Sequence, residues 1–300
     1  MLRLMLDHHP EIACHYEFEF SVDWVTEDGQ MPSVDEVRGR FKEPWLRGAL
    51  TAPGCEGVFP DVATHEEFVN WKLCAWRDAG GKRDVGATCH RNFERLLHIW
   101  PDARFIHVLR DGRDVARSRV QMGWHGNAWT AIDAWIEVES AWGRLCAALP
   151  EDRRHEVRYE QLIQSPREVL SGICAFLGHS FSDRMFDYVE KTNYDLPDAT
   201  NARQWRLHAE PAEVSLMEAK AGRMLEARGY ELSGFEPALI GEREAARLQA
   251  ECAVKRRKMR IARYGLPLLV ARKVAAATSC EALRRWVEER MYRINQRYFK

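Results

Sequence analysis

Residues 104–118, RFIHVLRDGRDVARS, constrain the fold more than any other stretch of the chain. Residues 104–109 read as an almost unbroken apolar run with β-branched members, preceded by a turn at Pro101 and Asp102. A strand apolar on both faces is one covered on both faces, as in a parallel sheet. The run ends at Arg110, turns through Asp111 and Gly112, and enters a helix with Asp114 near its start. A guanidinium at a strand tip, a Gly turn and a helix start together make an anion site. In an open α/β sheet ligands bind at this place, outside the carboxyl ends of the strands. The same residues also fit a salt-bridged turn that binds nothing, and exposed pairs of that kind contribute little.

The remaining segments alternate strand and helix signals. Residues 2–6 read as the end of a helix stopped by His9 and Pro10, and residues 12–16 as a short strand. Residues 18–57 are aromatic and irregular, with Pro32, Pro44 and Pro53, and read as a lid-like insertion with short helices. Thr64 is a candidate cap for a helix over 64–79 that Gly80 and Gly81 end, with Phe68, Trp71 and Ala75 on one face. A helix over 92–100 feeds the strand at Phe105. Residues 127–149 carry Trp135, Val138, Trp142 and Leu145 in one helical stripe, which reads as core. Residues 155–159 are a further strand candidate. Ser165 and Pro166 open a helix that Gly178 stops. Residues 211–228 form another helix, and from Glu242 onward the chain is helical and basic, broken near 265–267. Strands alternating with helices argue for an α/β class with a mainly parallel sheet, although the strand signals are few.

With 46% hydrophobic and 30% charged residues over 300 positions, the chain can build one large domain or two small ones and is not of a disordered type. Eleven Trp point to a large aromatic core. The eight Cys include no CxxC pair, which argues against a zinc knuckle or a dithiol redox site, and Cys146 and Cys174 read as small core residues. His8 and His9 have no metal-ligand partners at useful spacing, so no metal is expected. No secretory signal and no apolar run of spanning length occur, so a cytoplasmic location is expected. Neither a G-x-x-x-x-G-K-[ST] loop, nor G-x-G-x-x-G after a strand, nor a G-x-S-x-G elbow is present.

The chain resembles the 3′-phosphoadenylyl sulfate (PAPS) dependent sulfotransferases. The resemblance rests on FIHVLRDGRDVARS, on EVRYEQLIQSPREVLSGICAFLG over 156–178, on Arg203-Gln204-Trp205-Arg206, and on Gly229-Tyr230. LRLMLDHHPEIA over 2–13 is similar to the segment after that family's phosphosulfate loop. The resemblance spans roughly residues 2–235 in the right order. It implies a P-loop nucleotide-kinase-like fold, a parallel sheet flanked by helices, with PAPS as co-substrate. Arg110 and Ser118 match the pair that holds the cofactor's 3′-phosphate, a dianion suited to a planar charged fork and a hydroxyl. Tyr159, at the tip of the next strand, lines the nucleotide cleft or is a buried strand-end Tyr. Arg203, Trp205 and Arg206 match a late loop that closes over the nucleotide, with Trp205 covering the adenine; the alternative is a solvated Arg loop with a core Trp. Glu17 matches a general base used in part of the family, and Glu19 and His15 are neighbours able to do the same work. His90 lies where many relatives carry a Lys, and either substitutes for it or caps the following helix.

The resemblance also implies a first strand and a Pro-Arg-Ser-Gly-Thr-Thr-like loop, inside the sheet and immediately before the helix that begins at Met1. Neither is in these 300 residues. The expectation is that the reading frame continues upstream, with Met1 arising from an alternative start codon; an in-frame stop directly upstream refutes it.

Residues 236–300 differ electrostatically from the rest. They hold 16 Lys and Arg against 7 Asp and Glu, while residues 1–235 hold 28 against 38. This helical basic extension either packs on the acidic body or docks on an anionic membrane surface. No nucleic-acid recognition module accompanies it. The expected organisation is therefore a sulfotransferase-like α/β domain over 1–235 and a basic helical extension over 236–300. The expected reaction is sulfuryl transfer from PAPS to a hydroxyl or amine on a small-molecule, carbohydrate or lipid-linked acceptor. The alternative is a non-catalytic nucleotide-binding or interaction protein derived from such an enzyme.

Overall fold

The computed structural model describes residues 1–41, 58–278 and 280–298. Four strands form two parallel pairs. β1 (Ile12–Glu17) pairs with β2 (Asp84–Thr88), and β3 (Phe105–Leu109) pairs with β4 (Arg154–Arg158). One turn ties the amino ends of both pairs together. His179 bridges Glu11 at 3.2 Å and Asp84 at 2.6 Å, and Arg104 donates to the Phe176 carbonyl at 3.0 Å. Both pairs therefore run away from this turn, and all four strands deliver their carboxyl ends to the opposite side.

The helices follow their sequence signals. In α1 (Leu2–Asp7), Leu4, Met5 and Leu6 are all buried, as a helix apolar all round requires. α2 (His65–Ala79) starts where the Thr64 hydroxyl accepts from the Glu67 amide at 3.1 Å. α3 (Gly112–Gln121) is capped by Asp111, which accepts from the Arg113 amide at 2.9 Å. α4 (Ala128–Ala148) is capped by Asn127 and buries Trp135, Trp142 and Leu145. α5 (Tyr159–Gln164) and α6 (Pro166–Leu177) follow β4, and α7 (Pro211–Ala227) packs against α4.

One core joins α1 to Cys14 of β1, Val157 of β4 and the buried face of α6, with Ile106 of β3 packed against it, so α1 spans both pairs. A second core lies under residues 18–41 and α2, and a third joins Leu109 to α3, α4 and α7. No described strand connects the two pairs. Ile12–His15 of β1 are buried, whereas Ala87 of β2 and Val108 of β3 are exposed. Side chains exposed on short parallel strands leave part of both pairs uncovered by the described residues.

Four expectations need correction. Residues 84–88 form a strand that the sequence reading left out, because Asp84 and Gly86 dilute its apolar signal. The described part of the expected lid is instead a packed layer: Phe18, Val22, Val25, Val37 and Phe41 are buried. Residues 42–57 of that segment lie outside the described residues. The Ser165 hydroxyl makes no capping bond, and residues 159–164 form an additional helix. The helix expected over 92–100 is a short 3-10 turn at Phe93–Arg95 followed by Leu96–Ile99.

The basic extension folds into α8 (Glu242–Tyr264), α9 (Leu266–Ala277) and α10 (Glu281–Tyr298). α8 rests on the turn between α3 and α4. The Gly126 amide donates to Cys252 Sγ at 3.2 Å, Asn127 donates to the Leu248 carbonyl at 2.8 Å, and Arg263 donates to the Met122 carbonyl at 2.7 Å. A Cβ at Gly126 would sit 2.5 Å from the Cys252 carbonyl oxygen, so a glycine is needed for this approach.

The centre of the third core is polar. Arg113, 1% exposed, makes a bidentate pair with Asp111 at 2.8 and 3.0 Å. It also donates to Glu218 at 2.5 Å and to the Glu231 carbonyl at 2.9 Å, and it lies 3.7 Å from the Trp205 ring centre. Breaking such a buried pair by removing one partner costs about 3–5 kcal/mol, because the remaining charges are stranded out of water. Arg113→Met is therefore expected to lower unfolding stability by about 3–5 kcal/mol. A urea titration yielding a loss below about 1 kcal/mol would show that the network is not what holds the turn.

Candidate active site

Two side-chain clusters occupy the carboxyl ends of the strands. The first lies beyond β3 and β4. Arg110 follows Leu109 and lies over the Tyr159 ring at 4.2 Å from its centre. Its Nη2 donates to the Asn201 carbonyl at 3.4 Å and lies 4.0 Å from Asp114. Its Nε is buried with no hydrogen-bond partner among the described residues. Burial raises the pKa of the Asp114 carboxyl, whose other oxygen accepts the Trp205 amide at 2.7 Å. Arg110 is thus a partly open cation with a distant counter-charge and an unused donor, which suits an incoming anion.

Ser118 lies on α3 four residues after Asp114, so these two share one helical face, whereas Arg110 precedes the cap residue Asp111 and lies outside the helix. The structure sets Arg110 and Tyr159 in contact. No hydrogen bond joins Arg110 to Ser118 among the described residues. An anion between them would need to be bridged by the reach of the Arg side chain.

Trp205 takes a different position from the one expected for covering an adenine. It is 4% exposed, its Nε1 donates to Asp111 at 2.9 Å, and its ring lies against Arg113. Its aromatic face is committed to the core. Its neighbours are open: Arg206 is exposed and lies 3.4 Å from Glu231, while Arg203 is exposed with φ of 54°, a left-handed conformation. A pocket of about 270 Å³ lies beside this loop, lined by Trp205, Arg206, Val214, Leu232 and Phe235. The loop between β3 and α3 is fixed from the other side as well. Glu160 accepts the Asp111 amide at 3.0 Å and the Tyr230 hydroxyl at 3.2 Å.

The second cluster lies beyond β1 and β2. Glu17 ends β1 and is exposed. Glu19 is buried, and one of its oxygens accepts both the His90 amide at 3.1 Å and His90 Nδ1–H at 2.7 Å. Burial pushes the Glu19 carboxyl up, but the His90 bonds outweigh it and hold the group below its usual range. The Glu19 hydrogen bond raises the His90 pKa against desolvation, with Glu17 adding to the rise. His90 is thus neither a helix cap nor a free ring. It is a partly open imidazole whose protonated form is favoured by two carboxylates. His15, a neighbour with apparently suitable chemistry, is excluded from such a role. It is fully buried, and burial and then Lys72 push its pKa down to about 4. The sequence signal for the Glu19–His90 pair was weak because 71 positions separate the two residues. Only the unread strand β2 brings them together. Among the described residues no group of three His, Cys, Asp or Glu could hold a metal ion.

Comparison with known proteins fits this geometry. The sulfotransferase family model matches residues 1–183. Protein-tyrosine sulfotransferase 2 of Gallus gallus is 23% identical over 197 residues, covering 63% of this chain and 50% of the relative. The protein-tyrosine sulfotransferase of Drosophila melanogaster is 23% identical over 206 residues, covering 64% of this chain and 38% of its own. The chain thus spans half or less of the length of these relatives. In fold it is similar to the sulfotransferase domain from the curacin biosynthetic pathway, with a TM-score of 0.57 at 17% identity, covering 77% of this chain and 93% of that one. The sulfotransferase domain of the Synechococcus PCC 7002 olefin synthase gives 0.55 at 20% identity, covering 77% and 90%. No described helix is long and apolar enough to cross a membrane. With well over half its length inside the family's model and its strands and helices arranged as in those domains, the chain belongs to the sulfotransferase family.

Proposed function

We propose that the protein transfers a sulfuryl group from PAPS to an acceptor hydroxyl or amine, with the nucleotide held beyond β3 and β4 and the acceptor activated beyond β1 and β2. The observation that carries this reading is Arg110: a strand-tip guanidinium over Tyr159 with a buried, unused Nε, in a chain of a family that generally uses PAPS. Arg110 and Ser118 bind the 3′-phosphate, and Tyr159 supports the guanidinium from below. Arg203 and Arg206, exposed at the late loop, contact the nucleotide, and Trp205 positions that loop from within the core.

PAPS supplies the sulfuryl group and a good leaving group. The acceptor oxygen or nitrogen forms the new bond to sulfur as the bond from sulfur to the phosphate oxygen breaks, and that oxygen departs with the electron pair. Glu17 takes the acceptor's proton. The Glu19-held imidazolium of His90 supports the negative charge that develops nearby. The named relatives act on tyrosine, which fits a hydroxyl acceptor; small-molecule, carbohydrate and lipid-linked hydroxyls fit as well.

Three measurements test this reading. Calorimetry with adenosine 3′,5′-bisphosphate should give saturable binding, weakened roughly 10- to 100-fold by Arg110→Ala, the cost of losing charged hydrogen bonds to a phosphate. Unchanged affinity would remove Arg110 from the nucleotide site. Glu17→Gln should leave that affinity intact while lowering PAPS turnover by roughly 100-fold or more. Nucleotide binding with no PAPS turnover by the wild-type chain would favour a non-catalytic nucleotide-binding protein. Proton NMR should find His90 titrating above the ordinary value of about 6.5, and Glu19→Gln should bring it back down. A His90 pKa that is unmoved by that change would mean the pair does not form in solution.

A further inference from the structure

α9 is apolar on two opposite faces, and only one of them is covered. At about 100° per residue, Leu268, Ala271 and Ala275 share one face. They pack against Leu283, Val287, Met291 and Ile294 of α10. Leu266, Val270 and Val274 fall on the opposite face and are 55%, 52% and 46% exposed. Trp286 of α10 is also exposed. A helix with apolar residues on both sides needs a second apolar partner, and none is supplied by the described residues.

The charge around this face indicates what the partner is. Residues 266–300 hold eight Lys and Arg against three Glu, and α9 itself has Arg272 and Lys273 and no acidic residue. Lys273 flanks the exposed apolar face on its Leu266 side. We infer that the α9–α10 hairpin docks flat on an anionic lipid surface, with Leu266, Val270, Val274 and Trp286 in the acyl boundary and Lys273, Arg290 and Arg293 on the headgroups. An apolar stripe with a cationic surround matches that phase, where aromatic rings and long cationic side chains both find their preferred depth. At 12 residues α9 is too short to span a bilayer, so it lies in the interface plane. A second copy of this chain is a poor partner. It would bring Lys273 against its own image with no acidic residue on the helix to offset it.

This inference is independent of the sulfotransferase reading, because its readout contains no turnover. The test is co-sedimentation of the full chain with phosphatidylcholine vesicles, with and without phosphatidylserine. Binding is expected only with phosphatidylserine, decreasing as salt is raised. The double variant Val270→Asp, Val274→Asp should bind at least tenfold more weakly. Both positions are half exposed, so its thermal midpoint should match wild type. Absence of phosphatidylserine-dependent binding overturns the inference. So does wild-type binding by the double variant, which would mean adsorption through charge elsewhere. A wild-type dimer that the double variant dissolves would instead assign the face to a second copy and overturn it equally.

Discussion

A guanidinium without access to water sets the geometry of the candidate site. Arg113 faces two carboxylates, Asp111 and Glu218, so the buried node carries one more negative charge than positive. The excess is met by dipoles. Trp205 Nε1 donates to Asp111, and the Ser233 amide and hydroxyl donate to Glu218 at 2.9 and 2.7 Å. These donors come from two segments, the late loop and the chain after α7, and meet carboxylates of the β3–α3 turn and of α7. Such a node contributes little net stability compared with apolar packing, but it admits only one arrangement of its members. The Arg110 position, one residue before Asp111, inherits that precision.

Packing reinforces the electrostatics. A Cβ at Gly112 would fall 2.6 Å from the Trp135 ring, so the turn can press against α4 only with glycine there. Trp135 in turn donates its Nε1–H to the Arg110 carbonyl at 3.0 Å. The turn is therefore gripped by an indole on one side and by Glu160 on the other. Reading RDGRD as a ligand site or as a salt-bridged turn was a false choice. The second Arg and the two Asp residues build the turn, and the first Arg is left partly open with an unused Nε.

Legibility in the sequence followed the strength of local patterns. β3, α3, α4 and the Pro166 helix were readable because an apolar run, a cap, a wide apolar stripe or a Pro-first turn each leaves a local signature, although Val108 of β3 is exposed rather than covered. β2 was not, since Asp-Val-Gly-Ala-Thr has neither alternation nor a continuous apolar run; its strand identity comes from pairing with β1. Missing β2 also hid the acid–imidazole pair, as His90 follows directly from that strand. The core role of Trp205 was likewise invisible locally. RQWR reads as a solvent loop until Asp111 and Arg113 are known to lie beneath it. The two faces of α9 were legible in principle, because three valine and leucine positions at i, i+4 and i+8 opposite a second apolar set are visible in the letters.

The two carboxylates beyond β1 divide their work by environment. Glu19 is lowered and His90 is raised, so both shifts locate the shared proton on the imidazole. For His90 the raised folded pKa means a stabilising contribution fully present below the unfolded value and lost as pH rises through the folded one. For Glu19 the lowered folded pKa means a contribution present above the unfolded value and lost as pH falls through the folded one. The two windows overlap between about pH 4.3 and 6.5, the ordinary values for Glu and His, and extend past each limit by the respective shift. An imidazole that keeps its proton toward neutrality is a poor base and a good hydrogen-bond donor. Glu19, two residues beyond the exposed Glu17, thus holds His90 as a hydrogen-bond donor at this strand end.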